Sequence, residues 1–173
     1  RDLRMSRGLG DVYKRQQTGS PILEEGDILL NTTLAETSDW QQVDLPVVST
    51  LRHFCIETLS SYTEDNQACI SEVDLLDDKG QPIDKTKWEV VYVSSEQADK
   101  NLGIAENLFD GDISSFWHTD PATEPGQPHR IIVDIKEIYK ISALRFKVRK
   151  GAFLSGKVKE INVYGRPQFF LFH

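Results

Sequence analysis

From Trp40 onward the apolar residues fall in strand patterns. Residues 40–45 alternate polar and apolar side chains, which predicts a half-buried strand. Residues 51–59 and 68–76 are apolar runs on either side of the polar stretch 60–67, and together they predict a hairpin. Asp77-Asp-Lys-Gly80 has the composition of a turn. Residues 88–94, Trp-Glu-Val-Val-Tyr-Val-Ser, are β-branched and aromatic and predict a further strand. Residues 130–135, 141–149 and 158–164 predict three more. Between them, residues 97–109 place Ala98, Leu102, Ala105 and Phe109 near helical spacing, interrupted by Gly103, so at most a short helical turn is expected. Residues 119–128 contain Pro121, Pro125, Gly126 and Pro128 and predict an exposed loop.

The flanks read differently. Residues 17–38 mix small, hydroxyl and acidic residues around Ile28-Leu-Leu30 and are read as a linker or the remnant of an upstream element. Asn31-Thr-Thr33 fits a glycosylation triplet, a pattern that arises often by chance. Residues 166–173 are aromatic-rich without a strand or turn plan and are read as a truncated tail. Residues 1–16 end in Gly8-Leu-Gly-Asp-Val-Tyr-Lys-Arg-Gln16, which resembles translated sequencing adapter, and are set aside from the fold. Short strands joined by long loops, with little helix, predict an all-β antiparallel sandwich or jelly roll.

Composition narrows the function. A chain of 173 residues suffices for one substantial core. A net charge of -7 argues against nucleic acid or an anionic membrane surface as the main partner, and no apolar run approaches a membrane span. Two cysteines, Cys55 and Cys69, make neither a disulfide framework nor a zinc site. A simple hairpin would bring them nearly opposite each other. A cross-strand disulfide and two buried free thiols are both open, the second favoured.

The densest chemistry lies in Asp110-Gly-Asp-Ile-Ser-Ser-Phe-Trp-His-Thr119. Its carboxylates and hydroxyls can wrap a hard cation, and Phe116-Trp117 can anchor the loop in a core. Preceded by Ala105-Glu-Asn-Leu-Phe109, this run resembles the opening signature of the discoidin domain. That family is also called the F5/8 type C domain, is similar to carbohydrate-binding module family thirty-two, and has a galactose-binding-domain-like fold. Residues 128–134, 141–149 and 156–164 are similar to three later strands of the family in the same order, so that the resemblance covers roughly residues 88–165. Three departures stand out. Asp134-Ile-Lys136 replaces the family's Asp-Leu-Gly, Val148 replaces a proline before Arg149, and the family's closing strands do not follow Tyr164. Residues 52–76 are similar to those closing strands. Either they end a preceding module, or they pack with the rest in one sandwich over 39–165; the second is the expectation.

The resemblance implies the following. A structural calcium ion would be held by Asn107, Asp110, Asp112 and Ser115, with Glu72 from the hairpin. Glu106, His118 and Arg149 would contact sugar; Phe153 is a candidate aromatic platform. The implied function is a non-catalytic carbohydrate-binding module for a glycan, galactose-type among the options. It would belong to a larger multidomain secreted bacterial glycoside-active protein, located extracellularly, at the cell surface or in the periplasm. The alternative is a discoidin-like adhesion domain for protein or lipid, which the polar 119–127 loop disfavours. A catalytic glycosidase fragment ranks last, because Asp110 and Asp112 are too close in sequence to flank a cleft. Lys147, Lys150, Lys157 and Lys159 form a local basic patch, and His129 suits a strand entry.

Overall fold

In the computed structural model, residues 19–63, 65–122, 126–149 and 155–173 are described. Residues 1–16 and Phe153 therefore lie outside the described residues, as does Lys150 of the basic patch.

Among the described residues eight strands form: β1 (Ile28–Thr33), β2 (Gln41–Thr58), β3 (Cys69–Ile70), β4 (Glu72–Asp77), β5 (Glu89–Val93), β6 (Trp117–His118), β7 (His129–Lys147) and β8 (Glu160–Arg166). All pairings between them are antiparallel. The large sheet runs β1-β8-β2-β7-β4, and β5 joins the same edge of β7 that β4 uses. β3 and β6 make a separate two-stranded ladder.

The frame is the long β2–β7 pair, in register from Gln41↔Phe146 to Thr58↔His129. Its register shifts between Asp44 and Ser49 and again between Leu51 and His53. β4 covers the C-terminal half of β7, and β5 the N-terminal half. Leu45, Val73, Leu75, Leu144 and Phe146 from one half share a single core with Phe54, Ile56, Val90, Ile131 and Val133 from the other. One sheet has bent over on itself, and its two halves enclose that core as an all-β antiparallel sandwich.

Burial along β2 reports the same division. Residues 41–52 are largely exposed apart from Leu45 and Leu51, whereas residues 53–58 are buried without a break. Such a run needs cover on both faces of the sheet. The second face carries Cys55, Ile132 and Tyr164, packed under Phe170 with Leu23, Tyr92 and Phe172.

Four sequence expectations need correction. Residues 51–59 and 68–76 are strands but do not pair with each other: β2 lies between β7 and β8, and β4 pairs with β7. The two apolar runs are better matched by distant partners than by each other across a polar stretch, and cooperative burial overrides local hairpin closure. The cysteines are accordingly not opposite. Cys55 faces Tyr164 and Ile132, Cys69 pairs with His118, and both are buried free thiols. Residues 17–38, read as a linker, contain edge strand β1, with Leu30 and Leu34 buried. Residues 166–173, read as a loose tail, pair with the start of the described chain: Ile22 N donates to Leu171 O (2.7 Å) and His173 N to Ser20 O (3.1 Å). Apolar surface on the second face draws both segments down.

The expected turns form. Asp77 Oδ1 accepts from Lys79 N and Gln81 N, and Gly80 takes a positive φ of 78°. The predicted helical turn is a short 3-10 helix, Ala105–Phe109.

Candidate functional site

Residues from the loops between β1 and β2, β2 and β3, and β7 and β8 meet beside Arg149. Gly156 makes the gathering possible. Its φ is +76°, and a Cβ there would meet the Ala68 carbonyl carbon and Cys69 N at 3.0 Å. Its own N–H donates to Thr63 Oγ1 (3.0 Å) and Asp65 Oδ2 (3.1 Å), and its carbonyl accepts from Cys69 N (2.9 Å).

Trp117 is wholly buried and donates from Nε1 to Ser95 O at 3.0 Å, which roots the loop in the core. Phe116 does not share that role. Adjacent residues of an extended chain point to opposite faces, and Phe116 is partly exposed under the Arg149 guanidinium, 4.2 Å from its ring centroid. Strand alternation was the available signal, and the aromatic pair was wrongly read as one anchor.

His118 is 4% exposed. Its Nδ1 donates to Thr119 O (2.6 Å), because a carbonyl only accepts, and Nε2 hydrogen-bonds Ser155 Oγ (2.8 Å). Both ring nitrogens are therefore engaged within the protein. Glu106 lies partly exposed on the 3-10 helix, beside Asn107, whose Nδ2 donates to Phe116 O (3.0 Å). His129 opens β7 as expected, bonding Asn66 O through Nε2 (2.6 Å); burial lowers its pKa.

Beside Arg149 a cavity of about 230 Å3 opens, lined by Glu36, Thr37, Tyr62, Arg149, Lys157 and Val158 among others. Tyr62 is fixed there by its hydroxyl, which donates to Leu34 O (2.7 Å), and by its N–H to Lys157 O (2.7 Å). Lys159 lies 5.4 Å from its ring centroid. Sequence reasoning missed Tyr62, since it sits in the polar stretch taken for a hairpin turn.

The residues expected to hold calcium form a chain of internal contacts. Asp110 Oδ1 accepts from Asp112 N (2.9 Å), and Asp110 Oδ2 from Ser115 Oγ (2.5 Å). The Asp112 carbonyl accepts from Ser115 N (3.1 Å) and Oγ (2.9 Å). Asn107 also turns Nδ2 toward Asn101 O (3.2 Å). Glu72 is 1% exposed; its Oε2 accepts from Gly111 N (3.0 Å) and pairs with the Lys85 ammonium, while Oε1 has no hydrogen-bond partner. Burial pushes the Glu72 carboxyl up to about 7, against the opposing pull of Lys85 and the Gly111 N–H. Among the described residues, no three acidic, histidine or cysteine side chains converge on a point that suits a metal. Asp112 Oδ1 likewise accepts from Ser114 N (2.9 Å) and Ser114 Oγ (2.6 Å), so the oxygens of the loop are tied largely to the loop itself.

Residues 90–168 match the F5/8 type C domain. The chain is also 33% identical over 84 residues to a sialidase from Micromonospora viridifaciens. The matched stretch is 47% of this chain and 13% of that protein, so it spans only a small part of the relative's length.

Proposed function

We propose that this chain is a non-catalytic carbohydrate-binding module whose saccharide contacts centre on Arg149 at the loop end of the sandwich. The observation that carries the reading is the stacking of Arg149 on Phe116 beside the Tyr62 cavity. A guanidinium offers donors in a fixed fork for sugar hydroxyls, and partly exposed aromatic faces next to it accept C–H contacts. In this reading Glu106 adds an acceptor from the 3-10 helix. His118, with both nitrogens engaged, acts by holding Ser155 and its loop in place. The ligand class is a hydroxyl-rich, galactose-type glycan. The sialidase match supports a place for the module within a larger secreted bacterial protein acting on glycosides.

A panel of neutral and acidic glycans, screened on an array and followed by calorimetry on the strongest binder, tests this. Arg149→Ala is expected to weaken binding about tenfold or more, the scale of a lost charged hydrogen bond. Its thermal midpoint should stay within about 2 °C. Binding that survives both Arg149→Ala and His118→Ala removes the site assignment. Turnover of a glycoside by the chain alone removes the binder reading.

A further inference from the structure

We propose that Lys85 is the resident cation of the Asp110–Thr119 loop: its ammonium does the structural work that a divalent ion was expected to do, and the loop keeps its shape without metal. The Lys85 ammonium pairs with Glu72, lies 2.6 Å from Asp74 Oδ1 and donates to Val73 O at 3.1 Å. It is thereby held by three successive residues of β4. The Glu72 oxygen that it engages is the one that accepts from Gly111 N. A continuous path thus runs from Lys85 through the Glu72 carboxylate to the backbone of the loop.

Two facts make the lysine a fixed part of this arrangement. The segment that carries it is fastened to β4 by Ile83 N to Leu75 O (3.0 Å), and its turn is closed locally by Asp84 Oδ1 accepting Thr86 N and Oγ1, each at 2.8 Å. The lysine and its partners are also shielded, with side-chain exposures of 17% for Lys85, 1% for Glu72 and 14% for Asp74. A carboxylate sealed to this degree is costly to leave unpaired. A calcium ion would meet that need by binding; a covalently tethered ammonium meets it at any calcium concentration. Within the loop, Asp110 and Asp112 accept from Ser114, Ser115 and a backbone N–H, while Lys85 is the cation paired directly with Glu72. Nothing here depends on what the loops bind.

The test is thermal unfolding of the full chain in chelator and in millimolar calcium, for the native sequence and for Lys85→Met. The native protein should melt at the same temperature in both buffers. Lys85→Met should lose about 5–10 °C in chelator, the scale of a broken buried ion pair in a chain of this size, and should regain part of it in calcium. Lys85→Arg, which keeps the positive charge, should stay indifferent to calcium. A native midpoint that falls in chelator, or a Lys85→Met midpoint that does not move, overturns the proposal. If Lys85→Met does not fold, Lys85→Met/Glu72→Gln decides the matter. Recovery of folding by removing the carboxylate supports the pairing, and failure to recover overturns it.

Discussion

Phe116 and Trp117 are neighbours in sequence with opposite duties. Trp117 is sealed in the core and tied to Ser95; Phe116 stands at the rim and carries Arg149. The same contrast separates the two basic side chains that meet this loop. Lys85 is enclosed among carboxylates beneath it, whereas Arg149 lies on an aromatic face beside a cavity. The underside of the loop is built like an interior and decides whether the loop has a shape. The rim is partly exposed and, in the proposed function, supplies the contacts to ligand. Damage to the underside should therefore appear in stability, and damage to the rim in binding.

The largest effect is expected at Trp117. Trp117→Ala should cost about 3–5 kcal/mol by urea denaturation, the usual range for emptying a buried tryptophan site. Phe116→Ala should cost about 1 kcal/mol or less, because it removes a partly exposed ring and one cation–π contact; glycan affinity should nevertheless fall, since Arg149 loses its support. Equal stability losses in the two variants would break the comparison. The smallest effect is a change in thiol reactivity. Burial pushes the Cys69 thiol up to about 12, with Arg149 pulling the other way, and burial likewise raises Cys55. With both thiols buried and their ionisation suppressed, the folded native protein should resist alkylation. Phe116→Ala should loosen Arg149 and speed labelling of Cys69 while Cys55 stays silent. Labelling of both together would indicate global opening, and the rim would have proved continuous with the core.

Much of the architecture could be read from the chain, and the reasons are local. Strand content follows from period-two patterning, and of the Phe116-Trp117 pair expected to anchor the loop, Trp117 does so. Pairing was harder. The 51–59 and 68–76 runs look like a hairpin to any reading confined to near neighbours, yet β2 finds its partners about 70 to 115 residues away. Lys85 gave no signal, since it lies in a polar segment with no spacing relation to Asp110. Phe170 and Phe172 did give one. Their alternation in a short aromatic run matches a segment laid over a sheet, but the run was set aside as a tail. Lys136 shows the limit of analogy in another way. The family's glycine is missing there, but the turn forms with Lys136 at φ +75° and its N–H donating to Asp134 Oδ1 (2.7 Å).

The pairing of residues 20–22 with 171–173 also determines how the fold would answer a mechanical load. β1 and β8 run antiparallel, with Ile28 opposite Tyr164, so the two flanks leave the sheet at the same end. A pull applied through both flanks would open the contacts in series, first His173 to Ser20, then Leu171 to Ile22, then the β1–β8 ladder. Strands loaded in this geometry unzip one hydrogen bond at a time and do not share the force. The sandwich would therefore yield from its edge at modest tension, with the β2–β7 frame and the loop end still intact behind it.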